Sequence, residues 1–173
     1  MANLVIGRLF RGNLILNGKS YAGSVSECDL PELNWTLADL KTIAQVGKLK
    51  APNGLDDLKA TIKGSFDPDL MAAAANPKKA VQIQIRSSYE SISAGGTDSE
   101  VPLVAFITGF ISKGKPGTIK SLDQASEADF EVHCNTYKLT LDGNVIHDID
   151  LFNNKCVVNG ENVFEQGNAN IGV

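Results

Sequence analysis

Three dipeptides limit what this chain can fold into: Asn17-Gly18, Asp142-Gly143 and Asn159-Gly160. Both residues of such a pair tolerate positive φ, which a two-residue type I′ turn demands at its centre. The first joins 13–16 to 19–22, the second joins 130–141 to 145–152, and the third joins 155–158 to 162–164. Three turns of this chemistry predict a mainly β chain.

A two-residue turn at Asp142-Gly143 sets a register. It pairs Leu141 with Asn144, Leu139 with Ile146 and Tyr137 with Asp148. The opposite face pairs Thr140 with Val145, Lys138 with His147 and Thr136 with Ile149. Both faces are mixed, and neither is marked as the core. Two other strands are plainer. Leu58, Ala60, Ile62, Gly64 and Phe66 alternate with polar residues, and so do Val81, Ile83 and Ile85. Each reads as a half-buried strand with one wet face. The stretch 101–111 differs: Val101, Leu103, Ala105 and Ile107 share one face, and Val104, Phe106 and Phe110 share the other. Such a strand needs cover on both sides.

One short helix is predicted over 67–76. Asp67 suits its cap, Pro68 its first position, and the alanine run its interior. Pro77 stops it. The outer face of the sheet is the place expected for it. Loops are expected at 39–57, 91–100 and 114–129. The first exceeds the usual connection of about 4–6 residues, and a long loop often serves a partner.

At 173 residues and 18.4 kDa, the chain is expected to form one domain spanning 1–173. No apolar run approaches the roughly 20 residues of a membrane span. The opening residues break after three apolar positions, so no signal peptide is read and synthesis in the cytoplasm is expected. A net charge of −4 and only three arginines, Arg8, Arg11 and Arg86, argue against gripping nucleic acid. Cys28, Cys134 and Cys156 are odd in number and widely spaced, which favours buried thiols over disulfides.

The chemistry-bearing residues form no convincing constellation. Gly18-Lys19-Ser20 lacks the upstream glycine of a phosphate loop, since Asn13 stands there. His133 and Cys134 point to opposite faces of a strand, and His147 with Cys156 adds no close ligand pair. Asp148 and Asp150 share a face and are either an acid–base pair or a solvated acidic surface. Trp35 reads as core or interface. No catalytic, cofactor or metal residue is assigned, and no enzyme activity is expected.

The ordered segments resemble a known family. Leu16-Asn-Gly-Lys-Ser-Tyr-Ala-Gly23 followed by Leu30-Pro31-Glu-Leu33 is similar to the opening of major tail tube proteins of contractile-tailed phages. The segment from Gly54-Leu55 to Phe66, with the helix after it, resembles the family's middle. Tyr137 to Asp150 resembles its last long hairpin, and Asn159-Gly160 with Asn170-Ile-Gly-Val173 resembles its end. Tubes of phage-tail-like bacteriocins share this pattern.

The resemblance implies a small antiparallel β-barrel or sandwich with one flanking helix and a long projecting loop. It implies homo-hexameric rings, stacked into a hollow tube inside a sheath and bounded by a baseplate initiator and a tail terminator. DNA would pass through the lumen without specific binding, and no stable membrane association is implied. The place of work would be the virion tail. The long loop, with Lys41, Lys48 and Lys50 set against Asp56 and Asp57, becomes a candidate contact between subunits or rings. Asn170 and Val173 join that group, and Gln82 and Gln84 are candidates for the lumen face. Two alternatives stand beside this reading: a tube of a bacteriocin or type VI-like secretion system, and a ligand-binding β-barrel.

Overall fold

The computed structural model describes residues 5–40, 46–119 and 127–172. The elements begin with β1 (Ile6–Leu16), β2 (Lys19–Ser20), β3 (Val25–Asp29), β4 (Trp35–Leu40), β5 (Leu49–Leu55) and β6 (Lys59–Ser65). They continue with α1 (Pro68–Ala74), β7 (Val81–Ser93), β8 (Gly96–Lys115), β9 (Glu127–Leu141) and β10 (Asn144–Asp150). The chain ends with β11 (Lys155–Val158), β12 (Glu161–Asn162) and α2 (Glu165–Ile171). The three turns form as expected. Asn17 and Gly18 have φ of 47° and 88°, Asp142 and Gly143 of 50° and 76°, and Asn159 and Gly160 of 49° and 87°.

Ten strands make one antiparallel sheet in the order β12-β11-β10-β9-β8-β7-β1-β2, with β6 and β3 branching from β9. The branch lies within β9. One edge of β9 pairs with β8 along its length. The other edge pairs with β6 over Glu127–His133 and with β10 over Thr136–Leu141. Gly109 sits at the division, so close to the backbone of His133 that a Cβ there would overlap its carbonyl. The β6–β3 leaf folds over the inner face of the main sheet. Leu58, Ala60 and Ile62 meet Leu14, Ile83, Ile107 and Phe130 in one buried cluster. The expected mainly β fold is present, but the sheet is not closed into a barrel. β1 and β3 do not pair, and Gly12, Asn13, Val25 and Glu27 line an open cleft between them.

The helix lies on the core side, not on the outer face. Asp67 caps it, accepting from the backbone N–H groups of Asp69 and Leu70 at 2.9 and 3.0 Å. Leu70 is buried in the core, and Met71, Ala73 and Ala74 pack on the same cluster. The second face of β8 is therefore left without the helix, and Phe106 is 46% exposed.

Four further expectations change. The hairpin after Asp142-Gly143 keeps its first two pairs, then shifts by one at a bulge at Ile146. The shift sets His147 opposite Leu139 and Ile149 opposite Tyr137, which brings both to the buried face. Of the loop expected at 39–57, residues 41–45 lie outside the described residues, and residues 39–40 and 49–55 belong to a two-stranded ribbon, β4 with β5, from Trp35 opposite Leu55 to Leu40 opposite Leu49. The loop expected at 91–100 is the continued hairpin of β7 and β8, closing at Ser93 opposite Gly96. A second helix, α2, ends at Gly172 with φ of 78°.

Candidate assembly surfaces

Beyond the core, the first half of β1 and the turn end of β7 and β8 form a three-stranded extension. Its side chains hold it together across strands. Ser91 and Ser99 share a hydrogen bond at 2.8 Å, and Ser93 donates to Asp98 at 2.9 Å. Ser88 donates to Glu100 at 2.6 Å. Glu90 is buried, and a buried carboxylate needs a partner. Arg8 supplies it through Nε and a terminal nitrogen, each 2.7 Å from Glu90 Oε2. The same guanidinium lies 4.7 Å from the centre of the Phe10 ring, and that of Arg11 5.2 Å. Ile6 and Leu9 are exposed beside this cluster.

The β4–β5 ribbon is tied down at its base. Trp35 meets Phe164 with ring centres 5.9 Å apart, and the Asp56 N–H donates to the Asn34 carbonyl at 2.8 Å. Asp57 lies 2.9 Å from His133 Nδ1 and 3.3 Å from Lys59 Nζ. Lost hydration would raise its carboxyl, but the hydrogen bonds with His133 and Lys59 outweigh that and hold it below the ordinary carboxylate range. Further out, Leu37, Leu40 and Leu49 are exposed.

The outer face of the main sheet mixes polar and apolar residues across its width. One cross-strand row runs Ile15, Gln84, Phe106, Lys138, Asp148 and Val157. Asp148 accepts from Lys155 Nζ at 2.7 Å. Asp150 caps the turn after β10, accepting from Asn153 Nδ2 at 2.6 Å and from the N–H groups of Phe152 and Asn153 at 3.1 Å. Those bonds, the Asn153 side chain foremost, hold Asp150 below the ordinary carboxylate range. Asp148 is bonded by Lys155 and Asp150 by the turn after β10, with Lys155 also acting on Asp150 through its charge. Burial pushes the thiols of Cys28 and Cys134 up to about 12, far from a reactive thiolate at neutral pH. Among the described residues no cluster of His, Cys, Asp and Glu is fit to hold a metal, and no helix is long and apolar enough to cross a membrane.

The main sheet thus carries exposed apolar residues on two projections at its margins, Ile6 and Leu9 on the extension and Leu37, Leu40 and Leu49 on the ribbon. Residues 7–172 match the family described as phage tail tube protein FII. The chain belongs to that phage tail tube family. It is 30% identical over 166 residues to the tail tube protein of Escherichia phage P2, covering 93% of this chain and 94% of the relative. The fold is similar to a chain of the sheath–tube complex of an extracellular contractile injection system, PVC, in its extended state. That likeness has a TM-score of 0.57 at 7% identity, over 75% of this chain and 88% of the other. A chain of the sheath/tube terminator of the same system gives 0.56 at 7% identity, over 76% and 94%. The protein is thus a structural phage tail tube protein.

In this tail tube protein the expected contact residues scatter. Lys48 lies near the exposed end of the ribbon, and Lys50 stands opposite Asp39 within it. Asp56 and Asp57 lie at its other end, where Asp57 is already paired within the chain. Asn170 is exposed on α2 and accepts from Gln166 at 3.1 Å. Lys41 and Val173 lie outside the described residues. Gln82 and Gln84 share the outer face of β7, and the Gln82 N–H donates to the Asn17 side chain at 3.0 Å. The extension carrying Arg8, Tyr89 and Glu90 was not expected from the sequence. Its signal is faint: an Arg-Leu-Phe-Arg run and a serine-rich segment, neither with clean alternation.

Proposed function

We propose that residues 1–173 act as one tail-tube domain that closes into hexameric rings and stacks into a hollow tube. The observation that carries this reading is the combination of open strand edges with exposed apolar residues at the sheet's margins. Unpaired edges are a liability in a monomer and pair with neighbours in a ring. The face of the extension that carries Leu9, and the ribbon, with Leu37, Leu40 and Leu49, are the surfaces that meet other subunits. Lys48, Lys50, Asp56 and Asn170 sit on or beside such surfaces and are assigned to contacts between subunits or rings. The outer face of β7 to β10, with Gln82 and Gln84, lines the bore. DNA passes along it without specific contacts. A sheath surrounds the tube, a baseplate protein starts it and a terminator ends it. The assembled tube belongs to the virion tail, built in the host cytoplasm without stable membrane association.

Negative-stain electron microscopy at rising protein concentration, beside sizing chromatography, tests the reading. Rings or hollow tubes of uniform width are the expected result. A strict monomer, even with baseplate components added, overturns it.

A further inference from the structure

The chain carries a net charge of −4, yet the outer face of the main sheet does not share that excess. Two of its carboxylates are met by cations of the same face. Glu90 is matched by Arg8 at 2.7 Å. Asp148 is matched by Lys155 at 2.7 Å, and Lys138 stands opposite it on the neighbouring strand. Glu100 and Asp150 are engaged by Ser88 and Asn153. Arg86 shares the outward side of β7 with Gln82 and Gln84, and Arg11 lies over Phe10. The β3–β6 leaf and the adjoining end of β9, away from that face, hold ion pairs of their own, Glu27 with Lys63 at 3.0 Å and Asp129 with Lys113 at 3.5 Å.

From the two pairings on the outer face we infer that the bore of the tube is a charge-paired wall, in which Arg8 and Lys155 are withheld from DNA phosphates by carboxylates of the same sheet face. The inference rests on the bore-facing assignment made above. Its physical basis is counterion release. A cation adds to DNA affinity only when it neutralises a phosphate, and each one that does steepens the salt dependence by about 0.9. A phosphate reaching for Arg8 or Lys155 must first displace Glu90 or Asp148. The wall neither grips the duplex, as free lysines and arginines would, nor repels it along its length, as an acidic wall would.

The test assembles tubes in the presence of a duplex of about 20 base pairs, removes outside DNA with nuclease, and measures what stays protected. Wild-type tubes should protect almost none. Tubes of the Glu90→Gln/Asp148→Asn double variant should protect about tenfold more, released by raising salt. The comparison is Glu27→Gln/Asp129→Asn, which makes the same change in net charge on the β3–β6 side and should match wild type. Equal retention by the two double variants, or none by either, overturns the inference. Where the Glu90 change prevents tube formation, Asp148→Asn alone carries the test, and retention no greater than wild type overturns it. The bore assignment is read separately. Gln82→Cys in assembled tubes should react with a small maleimide but not with one carried on a large polymer. Reaction with both refutes that assignment whatever the DNA result.

Discussion

The ring of Tyr89 lies across Gly7 on the neighbouring strand, so close that a Cβ at residue 7 would overlap its hydroxyl end. In the register Tyr89 pairs with Leu9, so the ring reaches diagonally along β1 to cover the glycine. Gly7→Val should therefore displace Tyr89 and loosen the extension. The core lies elsewhere, so global unfolding should move by less than about 1 kcal/mol. Tube formation should fail or need higher protein concentration, as seen by light scattering.

Two other glycines test different physics. Gly109 has no positive φ to satisfy, and its constraint is the His133 backbone beside it. Gly109→Ala should cost about 3 kcal/mol or more, because a strand pair at the sheet's division cannot give way. Gly143 has open space around it but φ of 76°. Gly143→Val should cost about 1–2 kcal/mol through backbone strain alone. Denaturant unfolding of both variants separates the two mechanisms by size.

What could be read from the sequence was local. Asn17-Gly18, Asp142-Gly143 and Asn159-Gly160 specify their turns with their own φ angles, and Val81, Ile83 and Ile85 mark their buried face by alternation. The features that escaped depend on partners distant in sequence. The bulge at Ile146 exists because it sends His147 and Ile149 into the core beside Tyr137, whose ring centre lies 4.6 Å from that of His147. Pro52 and Gly54 hid β5, since both are poor strand formers. The serine-rich hairpin has no apolar face to announce it. The helix α2 has no side-chain cap and holds Gly167 in its middle. Of the assembly surfaces, the ribbon was placed by its length alone, and the ion pair of Arg8 with Glu90 could be found only from the cross-strand register.

The ribbon's exposed leucines give the next prediction. Leu37→Ser with Leu49→Ser removes apolar surface that the single chain does not bury. Stability of the monomer should change by no more than about 0.5 kcal/mol. Assembly should be lost, because hydrophobic burial between subunits drives association. Chromatography would show monomer where the wild type forms rings or tubes. Tubes of normal width and yield would mean that the ribbon makes no essential contact.

His147 should make the fold sensitive to mild acid. Its Nε2 is buried with no hydrogen-bond partner, and burial pushes its pKa below 6.5, opposed only in part by Asp148. The sign follows from where the proton binds. Above pH 6.5 the ring is neutral both folded and unfolded, and its contribution to stability is complete. As pH falls below 6.5 the unfolded chain takes up a proton that the folded chain resists, so stability declines until the folded-state value is passed. Thermal unfolding of wild type should weaken from pH 7.5 to pH 5 more than that of His147→Phe, which keeps an aromatic ring beside Tyr137 and cannot titrate. Parallel pH profiles for the two proteins would show that the buried imidazole does not set the acid response.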